Sequence, residues 1–198
     1  MLRSIKLAML AAVALAALTV GGGAATASEF QFSPGGAITG TSLGPVTFSG
    51  SGITITCNLT LRGTVTSARV PKVVGTSYGE ITSVTVGRCS GGTAAVLGLP
   101  WPVVYNGILG TLPNAVTGVS LTVQRTGFLL TTFGLECLYG GSLTSLLAVT
   151  GTNPYTSGLY DVPPGSSAPF VRGSVFCPRT GSMSGTFGIT PTQTVTRF

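Results

Sequence analysis

The chain has no histidine, and only Glu29, Glu80, Glu136 and Asp161 carry carboxylates among its 198 residues. Beyond residue 27, Lys72 is the only lysine. General acid–base catalysis needs a group that titrates near the working pH, most often histidine. Zinc sites are built from His, Cys and carboxylates, and calcium sites need several closely spaced oxygen ligands. Glu29 and Asp161 are isolated in sequence, so neither a metal nor any other cofactor is expected. Glu80 and Glu136 are the one pair to weigh as a glycosidase dyad, which requires two carboxylates across the scissile bond. No polar cluster accompanies them, and no Ser-x-x-Lys spacing leads to Lys72. No catalytic residue is assigned, and the expectation is a protein that is not an enzyme.

Charge is also scarce, at 7% of residues, with a formal total of +6. Without Arg3 and Lys6 the rest of the chain is +4, and its basic residues are scattered; only Arg62, Arg69 and Lys72 lie close together. Nucleic-acid binding leaves a dense basic stripe, so no nucleic-acid partner is expected. The apolar runs are short except at the start. There Arg3 and Lys6 precede the uncharged segment Leu7–Val20, Gly21–Gly23 break it, and Ala25-Thr26-Ala27 fits a small-x-small cleavage pattern. The segment is shorter than the roughly 20 residues of a membrane-spanning helix. Residues 1–27 are therefore expected to be a secretory signal peptide and 28–198 a single domain, with no transmembrane segment after signal removal.

Export places Cys57, Cys89, Cys137 and Cys177 in an oxidising compartment, where an even number of cysteines implies structural disulfides. Three pairings are possible. Cys57 with Cys89 and Cys137 with Cys177 is preferred, because each pair closes a local loop in one half of the chain.

What the chain does have is threonine and glycine, 30 of each. Threonine and valine favour strands, and glycine punctuates them. From Ile53 to Val65, Ile53, Ile55, Cys57, Leu59 and Leu61 share one face while Thr54, Thr56, Asn58, Thr60 and Arg62 share the other. That period of two predicts a strand with one buried and one wet face. Shorter rows follow at Val84/Val86, Val119/Leu121/Val123, Phe133/Leu135/Cys137/Tyr139, Val171/Gly173/Val175/Cys177 and Phe187/Ile189. Gly50-Ser51-Gly52, Ser90-Gly91-Gly92, Gly140-Gly141 and Pro163-Pro164-Gly165 mark turns. No helical stripe appears. The expected fold is all-β: an antiparallel β-sandwich of Ig-like or Greek-key type, or alternatively a small β-barrel. Residues 153–170, with four prolines, are expected to form a long connecting loop, with a binding loop as the functional alternative.

The candidate surface-binding residues are Trp101, Tyr105, Tyr155 and Tyr160. Trp101 lies between Pro100 and Pro102 and is the only tryptophan. It could anchor a sugar ring or an oily surface, although a core-filling ring is the favoured reading. Asn58-Leu59-Thr60 matches a glycosylation sequon and is read as accidental. The terminal Phe198 raises an outer-membrane barrel, but Thr190, Thr192, Thr194 and Thr196 stand in phase with it and make that face too polar for lipid.

The strand Ile53–Val65, the segment Ile81–Cys89, Gly98-Leu99-Pro100-Trp101-Pro102 and Cys137-Leu138-Tyr139-Gly140-Gly141 together resemble the PraB-like family of small exported bacterial proteins, named for activation of alkane oxidation. The resemblance runs from about Pro45 to Tyr139; the glycine content and the prolines around Trp101 depart from it. It implies a secreted or surface-associated β protein without catalytic residues, acting in growth on hydrocarbons. The expected role is at the cell surface, the extracellular matrix or a hydrocarbon–water interface. The expected partners are an apolar surface, polysaccharide or further copies of the chain, the last as a self-assembling structural or adhesin-type subunit.

Overall fold

The structure, a computed structural model, describes residues 29–50, 52–111 and 115–198; the expected signal peptide lies outside them. These residues form thirteen strands and no helix. In chain order they are β1 (Glu29–Ser33), β2 (Gly36–Ser42), β3 (Val46–Gly50), β4 (Ile53–Val65), β5 (Val70–Pro71), β6 (Ser77–Ser90) and β7 (Thr93–Leu97). There follow β8 (Trp101–Thr111), β9 (Ala115–Thr132), β10 (Leu135–Thr150), β11 (Tyr155–Val162), β12 (Ser167–Gly173) and β13 (Thr180–Arg197). The fold is all-β and antiparallel, as expected, and all thirteen strands belong to one sheet.

The long strands change partners along their length. β4 pairs with β3 through Ile53–Cys57 and with β2 through Thr60–Val65. β9 pairs with β8 in its first half and β7 in its second. β13 begins against β3 and β12 and continues against β2, β11 and β1. In one half of the molecule the pairing returns on itself: β2, β4, β6, β8, β9, β10, β11 and β13 each pair with the next, and β13 pairs with β2.

The predicted alternation in β4 holds. Ile55, Cys57, Leu59 and Leu61 are buried, and Thr54, Asn58 and Arg62 are exposed. β4 and β6 press together where both carry glycine. A Cβ on Gly63 would strike the carbonyl of Glu80, and one on Gly79 the carbonyl of Thr64. The inward rows of all the long strands meet in one core that includes Phe48, Ile55, Phe128, Phe187 and Val195. Phe187 is fully buried and packs on Tyr160. Phe187→Ala removes a ring from that close-packed interior and is expected to cost about 3–5 kcal/mol, read as a lower urea midpoint at unchanged slope.

Two disulfides tie the sheet, with the preferred pairing. Cys57–Cys89 joins residues directly opposite in β4 and β6. Cys137–Cys177 joins the start of β10 to the chain just before β13.

The expected long loop at 153–170 is corrected: β11 and β12 occupy most of it, leaving a short turn at 163–166. Threonine, serine and tyrosine in Tyr155–Val162 alternate well enough to pair with β10 on one side and β13 on the other. The prolines sit at the boundaries, at Pro154 and Pro163-Pro164, and on β12 at Pro169. The expected row Val171/Gly173/Val175/Cys177 is also corrected. β12 stops at Gly173, which has the positive φ of 142° that glycine tolerates, and the chain then turns through Ser174–Phe176.

Candidate functional site

The four aromatic residues named as candidate surface-binding residues are all buried, and Trp101 takes the core-filling place favoured for it. Trp101 opens β8, donates its indole N–H to the Leu97 carbonyl at 3.0 Å and meets Phe128 edge-on at 5.2 Å. Its neighbour Pro102 pairs with Glu80 of β6, whereas pairing with β9 begins only at Val103, so proline avoids a doubly paired position. Tyr105 meets Tyr78 edge-on and Phe30 at a tilt. The Tyr155 hydroxyl accepts a hydrogen bond from Arg197 at 3.1 Å, while the Asn153 side chain bonds both the N–H and the C=O of Arg197. Tyr160 packs on Phe187. Their apolar bodies fill the core, so they are packing residues rather than surface anchors.

Burial also governs how these rings titrate. It pushes Tyr78, Tyr105 and Tyr139 above the ordinary phenol value, with the neighbouring Tyr105 adding to the effect at Tyr78. Tyr160 is pushed up to about 12 by burial, partly offset by the Ser145 hydroxyl. In the unfolded chain tyrosine ionises near 10. Between these values the unfolded state holds fewer protons than the folded state, so stability falls as pH rises. The tyrosine contribution is complete below pH 10 and is lost from there towards pH 12. Tyr160 alone accounts for about 2–3 kcal/mol, measurable as a falling urea midpoint above pH 10.

Glu80 and Glu136 lie far apart along the sheet. Glu80 pairs with Thr64, near the far end of β4, whereas Glu136 is the second residue of β10, beside the Cys137–Cys177 bridge. Lys72 stands over the Phe30 ring at 4.8 Å. Its pKa is lowered by burial first and by Arg197 second. Among the described residues no group of His, Cys, Asp and Glu could hold a metal ion. No helix among them is long and apolar enough to cross a membrane.

The exposed apolar residues define a different site. Phe133 is 95% exposed, Val175 92% and Phe176 78%. Phe133 and Gly134 form the turn between β9 and β10, with φ of 48° and 75°. A two-residue hairpin turn with both central residues at positive φ favours Asn-Gly, because a side chain branching from the left-handed backbone meets its own carbonyl. Phenylalanine here goes against local preference, and its ring points into solvent. Val175 and Phe176 occupy the turn after β12. That turn is held to the start of β10 by Ser174 N–H donating to the Glu136 carbonyl, by the pairing of Cys137 with Gly173, and by the Cys137–Cys177 bridge. The two turns therefore project from the same end of the sheet. Val171 on β12 is exposed beside them. Elsewhere Leu43, Val73 and Val74 are also exposed, but none of those turns carries an aromatic ring.

Sequence reasoning placed Phe133 and Val175 in inward-facing rows. The signals against that were local: Phe-Gly between two apolar segments, and Gly173-Ser174 ahead of a bridged cysteine.

Comparison with known families matches residues 2–197 to the alkane oxidation protein activator PraA/PraB-like family. The chain belongs to this family. The match covers nearly the whole PraA/PraB-like chain, beyond the 45–139 stretch in which the resemblance was legible, and includes β10 to β13 and the Val175–Phe176 turn. No curated protein and no solved structure matches it.

Proposed function

We propose that this protein is an exported, non-enzymatic accessory to hydrocarbon use that works at a hydrocarbon–water interface, with Phe133, Val175 and Phe176 as its point of attachment. The observation that carries this reading is the projection of two aromatic rings and a valine from adjacent, bridge-tied turns on a chain with few charges. Exposed apolar groups gathered at one place mark interaction sites, whereas single ones are ordinary. Each side chain that leaves water for oil contributes about 1.5–3 kcal/mol. A rigid base matters as much as the rings, because less conformational freedom is lost on attachment. The family description supports the hydrocarbon. The two disulfides support an oxidising location outside the cytoplasm, secreted or at the cell surface.

The test is depletion of the oxidised protein from water by hexadecane droplets, beside an exported β protein of similar size. Selective, saturable depletion is expected. Depletion no greater than that of the control overturns the reading.

A second reading has one observation in its favour. β7 ends the strand order, and among the described residues it pairs only with β9. Its free edge offers backbone groups to another copy, the route to a self-assembling subunit. Concentration-dependent filaments in the absence of oil would favour it.

A further inference from the structure

A partly open cavity of about 70 Å³ lies in the closed half of the sheet, and all eight strands of the circuit contribute to it. Leu61, Ile81, Leu121, Leu147 and Ile189 provide apolar side chains, and the segments Arg62–Val65 and Gly79–Ile81 complete a wall that is overwhelmingly apolar. Three of its lining residues, Gln193, Tyr78 and Tyr160, carry a buried polar atom that has no hydrogen-bond partner among the described residues. Gln193 is 2% exposed and donates its amide nitrogen to the Pro191 carbonyl at 2.9 Å, but its side-chain oxygen has no hydrogen-bond partner among the described residues. Tyr78 is 3% exposed, and its buried hydroxyl likewise has no partner there.

A buried carbonyl without a donor is unfavourable, and nearly all such groups are paired with protein or an ordered molecule. Water satisfies such groups best where a site offers several polar partners, whereas apolar cavities stay dry and take up apolar ligands. This cavity has both characters in unequal measure: mostly alkyl wall, with an acceptor and two phenols. A molecule with an alkyl body and one hydroxyl meets both demands. Its O–H donates to Gln193 Oε1, its oxygen can accept from a tyrosine hydroxyl, and its chain lies against leucine and isoleucine. A carboxylate would face the Gln193 oxygen without a proton to donate, and an ammonium would lose its hydration in an apolar site. The volume is about half that of a cavity known to take benzene, which limits the body to about four carbons.

We infer that this cavity is a binding site for a short neutral alcohol, held by Gln193 and lined by the strand circuit. The site is independent of the Phe133–Phe176 end, and the inference stands or falls apart from the interface function.

The test is a titration of 1-butanol into the full folded protein, followed through the ¹³C methyl signals of Leu121, Leu147 and Ile189. Saturable shifts confined to cavity residues are expected. The isomer 1-methoxypropane, of the same size but without an O–H donor, should bind the unaltered protein at least tenfold more weakly. Gln193→Leu should weaken butanol binding by a similar factor, and Leu121→Phe, which fills the space, should abolish it. The ether comparison requires no variant to fold. Linear shifts spread over the surface, or equal affinity for ether and alcohol, overturn the inference. So does a water-to-methyl Overhauser signal in the cavity that butanol does not displace.

Discussion

Replacing both rings at the exposed end, Phe133→Asn with Phe176→Ser, is expected to lower adsorption to hexadecane about a hundredfold while leaving the fold intact. Both side chains already face water, so the folded protein loses no packing. Adsorption loses the transfer of two rings into oil, a combined effect of about 3 kcal/mol, which corresponds to about two decades in the binding constant. The two substitutions should differ in their effect on stability. Asparagine tolerates the φ of 48° at position 133 far better than phenylalanine, so Phe133→Asn should raise stability by about 1 kcal/mol. A gain in stability with a loss of adsorption would identify Phe133 as a residue retained for function against the preference of its turn. Unchanged adsorption would remove this end of the molecule from the account.

The second large effect concerns the bridge beneath that end. Cys137→Ser with Cys177→Ser opens a link spanning 40 residues of sequence. The loss is expected to be about 2–4 kcal/mol, from the greater freedom of the unfolded chain. Cys57→Ser with Cys89→Ser, spanning 32 residues, should cost a similar amount. Adsorption separates the two. Cys57 and Cys89 lie in paired strands of the sheet, whereas Cys177 holds the turn carrying Val175 and Phe176. Per folded molecule, the 57/89 variant should adsorb as the parent does and the 137/177 variant several-fold more weakly. Equal adsorption by both variants would mean that the turn keeps its position without the bridge.

The fold class was legible because its signal is a simple period. Ile55, Cys57, Leu59 and Leu61 alternate with polar residues, and burial follows that alternation. The cysteine pairing was legible from loop length instead, each pair closing a local loop in one half of the chain, and the structure sets Cys57 directly opposite Cys89. Residues 153–170 were misread because proline weighed more than alternation, although the prolines lie mainly at strand boundaries. The core-filling reading of Trp101 agrees with its burial, whereas aromatic character alone drew Tyr105, Tyr155 and Tyr160 towards the surface. Trp101, Tyr105, Tyr155 and Tyr160 each combine a large ring with a polar atom, and two of them find a use for both inside the sheet: Trp101 bonds Leu97 and Tyr155 bonds Arg197. Phe133 was hidden in an apparent apolar row whose phase Gly134 interrupts. The cavity was beyond sequence reasoning, because its wall is assembled from β1 and the eight strands of a circuit that only the pairing reveals.

On adsorption the Phe133–Phe176 end is expected to enter the oil. A single-tryptophan reporter, Phe133→Trp combined with Trp101→Phe, tests it most directly when its fluorescence is followed as the protein adsorbs to hexadecane droplets containing 1-bromohexadecane. A blue shift and quenching of the reporter are expected on adsorption, while the native protein, whose Trp101 is enclosed in the core, shows neither. A reporter whose emission stays unchanged while the protein is depleted from the water phase would contradict this.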